Sequence, residues 1–408
     1  MTHPQGFADQ PTTFDQLLQP IQAPLCHIEN TRKVHARESL SLRAFTRLLV
    51  YYFTASVESG RQLLSATLSA AAELGLEQVK RSTFFDGFNR FPVHHFQVLF
   101  GLLVSTLPLQ VIPELAPLGR LLCVDGSLFP ALANMYWATY QSGCNALKLH
   151  LAFELNRMIV VEILVSSGNS SERTALRQML ETGVTYLLDR GYVSFQLLDQ
   201  IASVSAYFVM RMKSNLNYDV LETRTVHLPE AVEGLYKHVG DLRVCLPGAA
   251  GKPVYRLVFF CFEGTTYRLL TNRWDLTTFE VMLLYSYRWQ VELIFRHFKH
   301  TLSGLHLLST TQQGVTIQFY GLLITALLQL HLKQACVAAL EGESSSLLWP
   351  GPGFDGKVLG EGRYSTLLVT VGDKLHQLWR ISVHWLVHLR NLLARPCGRA
   401  AVDLLGRS

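Results

Sequence analysis

The chain has 408 residues, nearly half of them apolar, which is enough for two or three domains with a substantial core and excludes a largely disordered chain. Its 36 basic and 31 acidic residues leave a net charge of +5, which suits a polyanion partner without requiring one. Seven scattered cysteines with no C-x-x-C pair exclude a disulfide framework and a cysteine zinc site, and point to a reducing, cytoplasmic setting.

The first residues, MTHPQGFADQPTT, are polar and predict no secretory leader. Residues 1–115 read as a helical region. ESLSLRAFTRLLVYYF (38–53) and RQLLSATLSAAAELGLEQV (61–79) carry apolar residues at helical spacing, punctuated by Gly60 and Gly75. RSTFFDGFNRFP (81–92) reads as a connecting turn. Arg32, Lys33, His35, Arg37, Arg43 and Arg47 make this end basic, either as a solvated helix face or as a DNA-contacting arm.

The pattern changes over 116–213. LLCVD (121–125) is an apolar run ending in an acid, ALKLHLAFEL (146–155) alternates, and MIVVEILVS (158–166) is a third strand. SERTALRQMLET (171–182) predicts a helix capped by Ser170 or Ser171. TYLLDRGY (185–192) repeats the apolar-then-acid pattern, FQLLDQIASVS (195–205) is helical, and AYFVMRMK (206–213) is a fifth strand. Together these make a mixed α/β layer. Residues 214–274 break the rhythm: TVHLPE, DLRVCLP, VYRLVFFCFEG and TYRLLTN read as short strands of a β-rich insertion.

Residues 275–340 return to helix, with Thr277 and Glu280 at capping-box spacing. GVTIQFYGLLITALLQLHL (314–332) is apolar enough to suggest a membrane span, but Gln318, Gln329 and His331 interrupt it, so a buried core helix and no membrane partner are expected. A Gly/Ser/Pro-rich linker and a helical, basic end complete 341–408. In that end HWLVH puts His384 and His388 at zinc-compatible spacing, yet Trp385 stands where a metalloprotease helix has glutamate. A DNA-facing or solvated helix, with Arg380, Arg390, Arg395 and Arg399, is the plainer reading.

The chemistry concentrates in YSYRWQVELIFRHFKH (285–300). At helical spacing Tyr285, Arg288 and Lys299 fall within roughly 40° of Glu292, a stripe about 21 Å long. An i,i+4 ion pair accounts for Arg288 and Glu292 alone. Asp125 and Asp189 end apolar strands. Asp is a common turn residue, but ligands also gather at the carboxyl ends of strands in α/β sheets. Two such Asp beside a helical Glu offer three hard oxygen donors for Mg²⁺ or Mn²⁺. Two ions there would serve phosphodiester chemistry. Arg288, Lys299 and Arg296 are then phosphate contacts, and Tyr285 a phosphate donor or a base-stacking ring. Ser127 and Arg190 adjoin the acids as supporting groups or turn residues, and Lys213 and Asn215 follow the fifth strand. Glu154 and Glu162 read as exposed alternates within strands.

These residues resemble the insertion-sequence-four family of bacterial DDE transposases. Its Y-x2-R-x3-E-x6-K signature is matched by Tyr285, Arg288, Glu292 and Lys299, its D-G-[ST] by Asp125-Gly126-Ser127, and its D-R-G-Y by Asp189-Arg190-Gly191-Tyr192. Thr271-Asn272 and Arg288-Trp289-Gln290-Val291-Glu292 also fit, and the resemblance spans about 80–330.

The resemblance implies a ribonuclease-H-like mixed-sheet core with a β-rich insertion, flanked by helical N- and C-terminal regions. It implies catalytic, metal-binding Asp125, Asp189 and Glu292, and DNA contacts at Tyr285, Arg288, Lys299, Trp289 and Arg296. The implied activity is cut-and-paste transposition on double-stranded DNA, at terminal inverted repeats and a target, by a homodimer. In relatives an aromatic residue captures a flipped base; Trp274 and Trp289 are the candidates here. Rival readings are a ribonuclease-H-like nuclease that cuts without joining, and a domesticated DNA-binding protein.

Overall fold

The structure is a computed structural model that describes residues 13–34, 38–55, 59–76, 78–109, 111–141, 143–229, 234–249, 251–301 and 307–343. The expectations for the linker beyond 343, for His384 and His388, for the four C-terminal arginines, and for His35 and Arg37 lie outside these residues. The chain divides into two units, one holding the described residues up to Leu109 together with 307–343, the other 111–301.

The first unit is helical: α1 (Thr13–Thr31), α2 (Leu42–Thr54), α3 (Gly60–Leu74), α4 (Arg81–Arg90), α5 (Val93–Thr106) and, from the far end of the sequence, the helix Gln312–Glu343. Ser41 caps α2 by accepting from the Ala44 N–H at 3.0 Å. Gly75 follows α3 at φ +55°, a backbone that glycine adopts without strain. The expected turn at 81–92 is instead helix α4. Its Phe84, Gly87 and Phe88 form one buried face, and a Cβ at Gly87 would lie 2.6 Å from the Phe45 ring. The glycine reads as a breaker in sequence; in the fold it makes room for that ring.

The apolar helix Gln312–Glu343 is long enough to cross a membrane, but 72% of its most apolar window is buried, and it packs against α5 and α2. It is a core helix, as expected, but of the N-terminal helices and not of the sheet. Among the described residues of the basic N-terminal cluster, three are paired: Arg47 with Asp15 at 2.9 Å, Arg43 with Glu29 at 3.8 Å, and Arg32 with Glu38.

The second unit is a mixed α/β layer. Its strands are β1 (Leu121–Pro130), β2 (Thr139–Gln141), β3 (Cys144–Glu154), β4 (Ile159–Ser167), β5 (Thr185–Leu188) and β6 (Tyr207–Arg211). They continue through β7 (Asp219–Thr223), β8 (Lys237–Cys245), β9 (Val254–Phe262) and β10 (Thr265–Thr271). All ten form one sheet in the order β2-β3-β1-β5-β6-β10-β9-β8-β7, with β4 also on β3. β1, β5 and β6 run parallel, and the remaining pairings are antiparallel. Helices α6 (Glu172–Gln178) and α7 (Phe195–Ser203) provide the parallel crossovers. The apolar side of the strands closes over Leu122, Val124, Tyr186, Leu188, Phe208 and Met210.

The β-rich insertion is present and continues the core sheet through β10 on β6. TVHLPE is not a strand; the preceding DVLET takes that place. β9 and β10 form a hairpin closed by Glu263-Gly264, both at positive φ, the twist that a two-residue turn needs. After β10, Asn272 accepts from the Phe208 N–H at 2.9 Å and donates to the Ala206 carbonyl at 3.0 Å, clasping the insertion to β6. The buried pair Arg256–Asp241 joins β9 and β8. Its guanidinium also reaches the Leu276 carbonyl at 2.5 Å, just before α8 (Thr278–Tyr287). Thr277 and Glu280 form the expected capping box at the start of α8. The remaining helix of this unit is α9 (Trp289–Thr301); Gln312–Glu343 is α10.

Candidate active site

The parallel pairing of β1 with β5 ends at Cys123 opposite Leu187. Asp125 and Asp189 each stand two residues further on, hence on the same sheet face as that pair. The expectation that both acids are strand tips holds for Asp189 only. β1 runs on to Pro130 because β3 continues to pair with it, so Asp125 is mid-strand but lies just past its parallel neighbour.

The continuous helix expected over 285–300 is broken at Arg288, between α8 and α9. There the Arg288 N–H reaches Tyr285 O at 3.1 Å and the Val291 N–H reaches Arg288 O at 3.2 Å, both i→i−3 bonds that tighten the turn. This turn carries the signature residues inward. Tyr285 and Arg288 are 6% and 8% exposed, so neither lies on an open cationic stripe. Tyr285 donates its hydroxyl to Asp189 Oδ1 at 3.1 Å. Arg288 donates to Glu292 Oε1 at 2.6 Å and to Asp125 Oδ2 at 3.4 Å, with its guanidinium carbon 5.9 Å from the Tyr285 ring centre. The three acids are thus linked through one guanidinium and one phenol.

Burial pushes the Asp125 carboxyl up to about 6. The Gly126 N–H at 2.8 Å and Arg288 oppose this, while Glu172 and Glu292 add to it. Burial likewise raises the Tyr285 phenol to about 12, reinforced by Asp189. Burial works against the Arg288 charge, yet the Glu292 bond and the nearby Asp189 and Asp125 hold it above its ordinary value.

Among the described residues no three His, Cys, Asp or Glu side chains close on one point. The expected oxygen cradle is therefore spread around Arg288, the arrangement that like charges favour when a cation stands between them. The donor chemistry still fits a hard divalent ion: the set is all carboxylate, and Asp125 is half-buried with only Arg288 and the Gly126 N–H to offset its charge.

The other expected residues divide. Lys299 and Arg296 are exposed on α9, with the Lys299 ammonium 5.3 Å from the Phe129 ring centre. Trp289 is 50% and Trp274 41% exposed, the latter with the Arg224 guanidinium 5.7 Å from its ring centre. Ser127 shares a strand face with Asp125, whereas Arg190 is exposed in the short turn after Asp189. Lys213 and Asn215 are exposed. Glu154 is not an exposed alternate: it is 4% exposed and held by Arg157 at 2.6 Å and Arg120 at 3.0 Å. Glu162 is half-buried.

Sequence reasoning missed Glu172, whose charge is felt at Asp125, and Tyr192, whose buried hydroxyl has no hydrogen-bond partner. Tyr192 was visible as the last letter of D-R-G-Y; Glu172 carried no signal beyond being acidic in a first helical turn.

The sequence matches the family model described as Transposase DDE domain over residues 116–328, just over half of the chain. Among curated relatives it is 28% identical over 242 residues to y4zB, named a transposase, of Sinorhizobium fredii, covering 59% of this chain and 67% of that protein. It is 22% identical to a transposase named for insertion sequence element IS5377 of Geobacillus stearothermophilus, over 71% and 77% of the two chains. It is 27% identical to transposase InsG of element IS4 from Escherichia coli, over 43% of this chain and 42% of that one. The matched span contains Asp125, Asp189 and Glu292 with all their contacts described above.

Proposed function

The chain belongs to the DDE transposases of the insertion-sequence-four family, and from that premise we propose that it nicks the ends of its element and joins the freed 3′-hydroxyls to target DNA. The observation that carries the reading is the linkage of Asp125 and Glu292 through Arg288, with Asp189 held by Tyr285 beneath the same guanidinium. Three carboxylates drawn from two adjacent parallel strands and one helix form a site for phosphodiester chemistry.

Asp125, Asp189 and Glu292 would hold Mg²⁺ or Mn²⁺. Such ions supply Lewis-acid activation of the attacking oxygen and neutralise the leaving one. Tyr285 fixes the orientation of Asp189, and Arg288 fixes that of Asp125 and Glu292. The exposed Lys299 and Arg296 take DNA phosphates beside the cut, Arg as a fork and Lys as a point charge. Half-exposed Trp289 offers a face to an unstacked base. In the first step water attacks phosphorus and the P–O3′ bond breaks, leaving a 3′-hydroxyl and a 5′-phosphate. In the second, that hydroxyl attacks a target phosphodiester, whose own 3′-oxygen leaves and takes up the proton. Active complexes would pair two copies across two element ends.

Asp125→Ala, Asp189→Ala and Glu292→Ala are each expected to abolish nicking of end-repeat DNA while leaving its binding within about twofold. Cleavage surviving in any one removes that residue from the site. Supplying pre-cut ends with free 3′-hydroxyls tests joining separately. Cutting without joined product would favour the nuclease reading, and binding with neither reaction the domesticated one.

A further inference from the structure

We propose that Glu172 is a positioning residue of the active site: its side chain is wedged between the β1 backbone just after Asp125 and the turn just after Asp189, and sets their spacing. The inference rests on the reading of those acids given above.

Glu172 opens α6, remote in sequence from both segments. A Cβ built on Gly126 would lie 3.3 Å from Glu172 Cγ, and one built on Gly191 would lie 2.9 Å from Glu172 Oε2. The residue after one catalytic Asp and the second residue after the other are therefore both glycines where this side chain passes. Neither has positive φ, so backbone conformation does not explain them. Close approach does. Lys148 of β3 holds the wedge from behind, 3.7 Å from Glu172 Oε1, and is itself tied to the Ser170 carbonyl at 3.1 Å. Arg173, next in α6, donates to the Gly191 carbonyl at 3.3 Å, so the start of the helix is bonded to the turn after Asp189. The Cβ built on Gly126 would also lie 3.0 Å from Nδ1 of the fully buried His150, so Glu172 and His150 together leave no room for a larger residue there.

An acid in a first helical turn is ordinarily explained by the helix dipole. That accounts for Glu172 being acidic, but not for its fit against two glycines, one in β1 and one in the turn after Asp189. A displacement of about 1 Å between catalytic groups on different elements can cost on the order of a hundredfold in rate.

The test is the nicking rate at saturating end DNA, read beside DNA affinity and melting temperature. Glu172→Ala is expected to lower the rate at least about tenfold with affinity unchanged and melting shifted by no more than about 2 °C. Glu172→Gln, which keeps the shape and an acceptor for Lys148, should stay within about threefold of the parent. Gly191→Ala should lose rate by pushing the wedge aside, and combining it with Glu172→Ala should cost no more than the worse single change. Parent-like nicking in Glu172→Ala, or multiplicative losses in the double variant, overturns the wedge. If Glu172→Ala fails to fold, Gly191→Ala paired with the shorter Glu172→Asp decides: recovery of rate supports the proposal and its absence overturns it. Asp125→Ala is run in parallel. Nicking that survives there strikes the reading of the acids themselves, whereas a dead Asp125→Ala beside a parent-like Glu172→Ala strikes only the wedge.

Discussion

Arg288 bonds Glu292, one helical turn ahead of it, at 2.6 Å, and from the same guanidinium reaches Asp125 on β1 at 3.4 Å. A lysine there keeps the charge but presents no planar fork. Arg288→Lys should lower nicking by at least about tenfold while leaving the salt dependence of DNA binding as it was. Rates and affinities measured across a salt series check both halves, and a parent-like rate would show that charge alone suffices.

Tyr285 supplies a hydrogen bond to a charged acceptor, Asp189, from a nearly buried position. Tyr285→Phe removes that bond and little else. The change should cost about 1.5–3 kcal/mol of orientation at the site, or roughly ten- to a hundredfold in rate, with the fold intact. Single-turnover nicking beside a thermal melt separates the two effects.

Lys299 is exposed, with its ammonium over the Phe129 ring. Lys299→Ala should weaken DNA binding across all sequences and reduce the salt slope by about one phosphate contact. An unchanged slope would place this lysine away from DNA.

The pair Arg256–Asp241 is 1% exposed on both sides and also bonds Thr278 and the Leu276 carbonyl. Arg256→Met strands a buried carboxylate and should destabilise the sheet unit by about 3–5 kcal/mol. Replacing Asp241 by Leu in the same chain should recover most of that loss. Denaturant unfolding of the single and double variants reads the difference, and equal stability of the two would refute the account.

Burial raises the Glu162 carboxyl from 4.5 to about 7, with Glu181 adding and Arg120 opposing. The native state therefore keeps a proton that the unfolded chain has already released. The associated stability is fully present below the ordinary carboxyl range and is lost as pH rises through about 7. Glu162→Gln should be neutral near pH 4 and stabilising at pH 8, on the order of 1–2 kcal/mol once partial exposure is allowed for. Urea titrations at the two pH values test it; stabilisation at pH 4 instead would reverse the assignment.

Elements with strong local signals are legible along the chain. The five apolar runs read as core strands become β1, β3, β4, β5 and β6, leaving only the short β2 unforeseen there; Thr277 sits where a cap belongs, and the interrupted apolar segment at 314–332 is a core helix. Where the reading failed, a distant partner decided the outcome. Gly87 looks like a breaker until Phe45 occupies the space above it, and β1 outlasts its expected end because β3 keeps pairing with it.

The acidic motifs, the signature spacing and the transposase family they point to were legible in the sequence, because residue identity and spacing are local properties. The destination of Tyr285 and Arg288 was decided only by tertiary structure. Helical geometry puts them on one face but cannot say what that face meets, and here a tightened turn at Arg288 aims both at carboxylates on β1 and after β5. Glu172 belongs to the same category. Its role depends on two glycines 46 and 19 positions away in the chain, brought within van der Waals reach by the crossover that the sheet imposes.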